Sequence, residues 1–163
     1  MFIAHLPAGY LFIKSIQRTF RKCKYAWLGL IGSVLPDIDL LYFYFIDNRQ
    51  THHHEYWTHL PMFWAFIAVF VLTWASWSKH KEALFTSTIF FLTIFLHLLL
   101  DTYAGAIQWL YPFYNNSLTL IDVPAVYEFW VWNFVFHWSF LSEVAIILSA
   151  TIILMRNKKK QYV

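Results

Sequence analysis

The chain has little charge, few glycines and almost no cysteine. Charged residues make up 13% of its 163 residues, with 4 glycines and a single cysteine, Cys23. One cysteine excludes an intrachain disulfide and a metal site built from several thiolates. Soluble domains are about 25% charged, so the composition also argues against an ordinary soluble enzyme. The net charge of +3 is too small to indicate a nucleic-acid partner.

Hydrophobic residues make up 60% of the chain and aromatic residues 22%. A soluble domain of this length cannot bury so much apolar surface. The apolar pattern gives five segments, at residues 2–17, 25–46, 60–78, 83–103 and 130–155. A helix needs about 20 residues to cross a membrane, so the first segment is short and the second must tolerate two aspartates. We predict an all-α polytopic membrane bundle of about five hydrophobic helices, forming one domain over residues 1–163.

The basic residues mark one side of this predicted bundle. Every Lys and Arg except Arg49 lies near the end of segment one, between segments one and two, between segments three and four, or after segment five. The positive-inside rule therefore predicts a cytoplasmic C-terminus and an outer N-terminus. The N-terminal stretch has no basic residue before Lys14, so it does not resemble a cleavable signal peptide.

Histidines and acids collect toward the outer side, and one pair of them has helical spacing. His97 and Asp101 are four residues apart, which puts them on one face of a helix. Both are good ligands for zinc or a similar divalent ion. A simple hydrogen bond between them in a bundle core is an equally good explanation. Ionisable groups in a membrane segment nevertheless indicate function, because they are costly to bury there.

The remaining candidates come from three other segments. Asp37 and Asp39 follow Pro36, where a local break can turn both inward around a cation; a solvated loop is the alternative. His54 and His59 precede segment three, and topology brings His5 to the same depth. We interpret His52 and His53 as a polar surface loop, and the sequence assigns no role to His137 or Glu143.

Four motifs follow one another along the chain: His5, Pro36-Asp37-Ile38-Asp39, His54-x-x-x-Thr58-His59 and His97-x-x-x-Asp101. In this order they resemble the motifs of the YdjM-type family of membrane-bound metal-dependent hydrolases, over about residues 1–113. The family in turn looks like a membrane relative of zinc-dependent phospholipase C. One departure is Glu55, where the family usually has an arginine that could hold a phosphate.

The resemblance implies a metal site and a location in the bacterial inner membrane, with the site facing the periplasm. Its metal ligands would be His5, Asp37, Asp39, His54, His59, His97 and Asp101, and the favoured ion is zinc. Divalent ions there would activate water for hydrolysis of a phosphoester or lipid-linked substrate, with Asp37 or Asp39 as general base. Membrane lipids are the expected partners, and the sequence does not indicate an oligomeric state.

Two other functions use the same residues. The first is a metal-binding or metal-transporting membrane protein without hydrolysis, which should have polar residues continuing to the cytoplasmic side. The second is a structural or partner-binding membrane protein whose polar groups serve only helix association. The second alternative predicts no metal and tolerance of alanine at the candidate positions.

Overall fold

The computed structural model describes residues 3–20, 25, 27–51 and 53–159. These residues form an all-α fold without a β-strand. The α-helices are α1 (His5–Phe20), α2 (Trp27–Gly32), α3 (Asp39–Phe45), α4 (Pro61–Trp77), α5 (Lys81–Ala104), α6 (Trp130–Val135) and α7 (Phe140–Lys159). Three short 3-10 helices cover Pro36–Ile38, His53–Glu55 and Trp57–His59. The all-α prediction is confirmed. Residues 21–24 and His52, which carry part of the basic loop and of the predicted histidine loop, lie outside the described residues.

The predicted count of about five hydrophobic helices is not confirmed. Within the described residues, two helices are long and apolar enough to cross a membrane, at Lys81–Ala104 and Phe140–Asn157. Helix α4 is apolar but shorter, at 17 residues. Segment five is also interrupted, because α6 and α7 are separated by a turn at residues 136–139.

Segment two is not one helix, because the helix is interrupted before Pro36. Proline has no N–H group, so it cannot donate the hydrogen bond that would continue α2. The chain instead forms the 3-10 helix Pro36–Ile38, with proline in its first turn, and passes directly into α3. The predicted break is therefore present, and it puts Asp37 and Asp39 at a junction between two short helices.

Helix α2 packs closely on α5 because its contact face carries glycine. A Cβ atom added at Gly32 would lie 2.5 Å from Thr93 Oγ1 and 2.6 Å from the carbonyl oxygen of Phe90. Small residues allow such close approach between membrane helices. The same approach brings the end of α2 within hydrogen-bonding distance of the polar part of α5.

The apolar core lies between α4 and α5. Its buried members are Trp64, Ala68, Phe91, Ile94 and Leu98. The opposite face of α4 is exposed over large side chains, including Phe66 at 79% and Phe70 at 73%. A soluble protein rarely leaves a contiguous apolar surface of this kind uncovered, and it suits contact with lipid.

Candidate metal centre

One end of the bundle collects the polar residues that the sequence singles out. Helices α1 and α4 begin there, α5 ends there, and the α2–α3 break lies beside them. Within this end, His5, His59, His97 and Asp101 are each no more than 4% exposed. Polar side chains buried so completely need partners or a bound ion.

Hydrogen bonds at Nδ1 orient His59 and His97. The carboxylate of Asp39 lies 2.6 Å from His59 Nδ1 and also accepts the hydroxyl proton of Thr58. His97 Nδ1 lies 2.9 Å from the backbone oxygen of Ser33, at the end of α2. Because a carbonyl or carboxylate oxygen accepts, Nδ1 carries the proton in both rings. Metal-binding histidines commonly have this arrangement, with the other nitrogen free for the ion.

The Nε2 atoms of these two rings face carboxylate oxygens. Oδ2 of Asp101 lies 2.9 Å from His97 Nε2 and 3.5 Å from His59 Nε2. Oδ1 of Asp37 lies 3.6 Å from His97 Nε2 and 3.7 Å from His59 Nε2. The Nε2 atoms of His59 and His97 are buried and have no hydrogen bond of good geometry to any described residue. Two imidazole nitrogens and two carboxylate oxygens therefore converge on one point, which favours positive charge there, carried by a proton on an imidazole or by a metal ion.

His59 faces three carboxylates, which favour positive charge on its ring. Burial alone would lower the pKa of His59, but the nearby carboxylates of Asp101, Asp37 and Asp39 raise it to about 11. A proton on His59 supplies one positive charge, and a divalent ion at Nε2 would supply two. The donor set of imidazoles and carboxylates suits such an ion.

His5 and Asp101 form the inner part of the cluster. His5 Nε2 lies 3.0 Å from Asp101 Oδ1, and the His5 ring stacks on the His97 ring with centroids 3.8 Å apart. Glu143 of α7 supports this region, because its carboxylate accepts a hydrogen bond of 2.7 Å from the backbone N–H of Ile3. Helix α7 therefore fixes the segment that precedes His5, a contact that the sequence did not suggest.

Asp37 is the open member of the cluster. Its side chain is 28% exposed, whereas that of Asp101 is 1% exposed. Solvent or a substrate therefore reaches the cluster past Asp37. The neighbouring residues Ile38 and Trp57 are 53% and 57% exposed, so apolar surface borders this opening.

His53 and His54 extend the cluster toward the loop after α3. The His54 ring lies beside that of His59, with centroids 4.9 Å apart, and its position depends on Gly105. A Cβ atom at Gly105 would lie 2.5 Å from His54 Cε1. Gly105 directly follows α5, and its contact with His54 becomes visible only in three dimensions.

The described residues contain three groups whose ligand atoms all lie within 4.8 Å of one another. They are His53, His54 and His59; His5, His97 and Asp101; and Asp37, His59 and His97. Six of the seven predicted ligands belong to these groups. Asp39 belongs to none and lies on the Nδ1 side of His59, so its role as ligand or base stays a prediction.

Two further histidines bear on the sequence interpretation. His53, interpreted together with His52 as a polar surface loop, is half-buried and belongs to one of the groups, so its role stays a prediction. Because His52, His53 and His54 are consecutive in the sequence, the sequence alone did not show which of them face the cluster. His137 lies away from the cluster, in the turn before α7, where its Nδ1 lies 2.8 Å from Ser139 Oγ.

The chain matches a known family. The family model described as YdjM inner membrane protein matches residues 1–162. No curated protein and no solved structure matches the chain. The match extends beyond the four motifs of residues 1–113 and includes α6 and α7.

Proposed function

The chain belongs to the YdjM inner membrane protein family, and on that premise we propose that it is a membrane-bound, metal-dependent hydrolase of phosphoesters. The observation that carries the proposal is the convergence of two oriented Nε2 atoms on two carboxylates, Asp37 and Asp101. A structural role in helix association does not require two imidazole nitrogens that each lie within 3.7 Å of two carboxylate oxygens in a buried cluster.

The residues of the cluster have different roles in such a reaction. Divalent ions held by the histidines and Asp101 would lower the pKa of a bound water and polarise the phosphoryl oxygen. Asp37, as the exposed carboxylate, is the group that accepts the proton from water. Asp39 fixes the His59 ring, and the backbone oxygen of Ser33 fixes the His97 ring. Both rings then keep Nε2 directed at the same point.

The surroundings of the opening favour a substrate in or on the membrane. Ile38 and Trp57 are exposed beside Asp37 and Thr58, so an acyl chain finds apolar contact where its headgroup meets the carboxylate. We therefore propose a lipid or lipid-linked phosphoester, approached from the outer leaflet of the inner membrane. The outer position follows from the distribution of basic residues in the sequence.

Transport of the same ion is less well supported. Beyond His97 toward the start of α5, the buried residues Ile94 and Phe91 are apolar and pack against Trp64 and Ala68 of α4. Thr93 is also buried there, but its hydroxyl donates to the backbone oxygen of Phe90. This part of the described bundle therefore offers an ion no ionisable partner between α4 and α5. The apolar core supports a site with one entrance, as hydrolysis requires.

The experiment is elemental analysis of the full chain purified in detergent, followed by a screen of phosphoester and phospholipid hydrolysis. We expect bound metal and metal-dependent hydrolysis in the wild type, and loss of both in Asp101→Ala. Glu82→Ala removes an exposed carboxylate at the other end of α5 and serves as the matched control. Absence of metal, or the same metal content in Asp101→Ala, contradicts the proposal; metal without hydrolysis favours the binding or transport function.

A further inference from the structure

Two histidines are shared among the three ligand groups. His59 belongs both to the group with His53 and His54 and to the group with Asp37, and His97 also belongs to two groups. In both rings Nδ1 donates a hydrogen bond, so only Nε2 remains for an ion. One nitrogen lone pair binds one ion. The Asp37 group therefore competes with each of the others, whereas those two have no member in common and can be filled together.

His53 completes one of the two compatible groups. Its ring centroid lies 4.1 Å from that of His54 and 5.3 Å from that of His59. Three imidazoles are a ligand set of catalytic zinc sites, in which the fourth position stays open. The other compatible group offers two imidazoles and one carboxylate, which is also a known zinc ligand set.

Asp37 lies between these two groups. Its Oδ1 is almost equally distant from Nε2 of His59 and Nε2 of His97, at 3.7 and 3.6 Å. A carboxylate in that position can face an ion on either side with Oδ1, which leaves Oδ2 as the oxygen that accepts a proton. Because the cluster holds three carboxylates, one divalent ion leaves it negative, whereas two make it positive by one charge. A positive cluster attracts an anionic phosphoester, and no arginine at position 55 is needed for that attraction.

We propose that this chain holds two divalent ions, one at His53, His54 and His59 and one at His5, His97 and Asp101, with Asp37 as the bridging carboxylate. The proposal rests on the proposed function, since it specifies how the same site binds its metal. It assigns a ligand role to His53, and it excludes a single ion shared between His59 and His97.

The test is the zinc stoichiometry of the full chain, purified in detergent, loaded with Zn²⁺ and dialysed against metal-free buffer. Elemental analysis should give two zinc ions per wild-type chain and one after His53→Ala. His5→Ala, which removes a ligand of the other group, should also leave one. His53→Asp restores a ligand atom and should return the second ion. His80→Ala removes an exposed histidine beside the first turn of α5 and should leave both ions in place.

Each other result has a definite meaning. One ion in the wild type and in His53→Ala overturns the two-ion proposal and leaves the proposed function standing. No zinc in the wild type overturns both. Loss of both ions in His53→Ala, with helix content retained by circular dichroism, also overturns the proposal because the two groups would not be independent. If His53→Ala does not fold, His53→Asp and His5→Ala decide by their expected two and one ions.

Discussion

The two ends of α5 carry similar side chains in opposite surroundings. His80 and Glu82 flank its start and are exposed, whereas His97 and Asp101 near its end are each 1% exposed. His80 and Glu82 line a cavity of about 450 Å³ at the start of the helix, together with Tyr25 and Leu28 from the preceding part of the chain. At the end, α1, the α2–α3 break and the segment before α4 all converge. A histidine and a carboxylate become a candidate site only where several elements exclude water from them.

The largest difference between the two ends should appear on removal of a buried histidine. His97→Ala deletes an imidazole that lies 2.9 Å from Asp101 and belongs to two ligand groups. We expect metal affinity to fall at least about 100-fold, because even loss of a supporting hydrogen bond lowers it about 10- to 100-fold. Competition with a metal indicator measures the affinity in detergent.

The matched control is His80→Ala at the exposed end. It should change metal affinity less than about twofold, because no ligand group includes His80 among the described residues. Equal effects of the two substitutions would mean that burial does not distinguish the two ends of the helix.

A supporting carboxylate gives the next effect in size. Asp39→Asn removes the charge that holds His59 Nδ1 at 2.6 Å while keeping the side-chain shape. We expect a loss of metal affinity of about 10- to 100-fold, since second-shell partners of metal ligands have effects of this size. Asp122→Asn makes the same change at an exposed position and should leave affinity unaltered. If Asp39→Asn abolishes binding as completely as His97→Ala does, Asp39 is itself a ligand.

The sequence predicted the all-α fold, the break at Pro36 and the pairing of His97 with Asp101, but not where the long helices begin and end. Their spacing alone predicted that His97 and Asp101 lie on one face of a helix, and in the structure His97 Nε2 lies 2.9 Å from Asp101 Oδ2. Pro36 predicted the break, because a missing N–H is a local property of the chain. The length of segment two nevertheless suggested a span, since an apolar run does not reveal whether it forms one helix or two short ones.

Neither the local path of the chain at His53 nor contacts between residues far apart in the sequence could be predicted from the sequence. His53 and His52 are adjacent histidines, and only the path of the 3-10 helix at residues 53–55 places the His53 ring against His54. The hydrogen bond from Ile3 to Glu143 joins residues at opposite ends of the chain. Periodicity describes one element at a time and carries no information about such pairs.

Gly105 tests how closely the elements converge at the buried end. Gly105→Ala adds a Cβ atom 2.5 Å from His54 Cε1 and 3.0 Å from the backbone oxygen of Asp101. Overpacking of this kind costs about 1–3 kcal/mol, so we expect lower stability and displacement of His54. Denaturant unfolding in detergent and zinc stoichiometry measure the two effects. Ala106→Val adds more bulk at an exposed neighbour and should alter neither; a stable Gly105→Ala with unchanged zinc content would contradict the close contact.

The smallest effect is expected from a half-buried polar pair, Asp47 and Tyr56, that lies at the same end as the cluster. The Tyr56 hydroxyl donates a 2.8 Å hydrogen bond to Asp47, whose carboxylate also accepts the Thr51 N–H. The hydrogen bond from Thr51, followed by that from Tyr56, lowers the pKa of Asp47. Burial, followed by the hydrogen bond to Asp47, raises the pKa of Tyr56 to about 12.

Tyr56→Phe should therefore lower the unfolding temperature slightly, and only over a defined pH range. A lowered carboxyl pKa stabilises the fold above the unfolded value of about 3.9 and ceases to do so as pH falls through the folded value. A raised tyrosine pKa stabilises it below about 10 and ceases to do so as pH rises toward 12. The difference in unfolding temperature between wild type and Tyr56→Phe should be constant between about pH 4 and pH 10 and should become smaller below pH 4. The unfolding temperature of Tyr127→Phe, by contrast, should differ from that of the wild type by the same amount at every pH. If zinc affinity falls with the unfolding temperature, position at this end of the bundle matters as much as burial, and the contrast between the two ends of α5 needs another explanation.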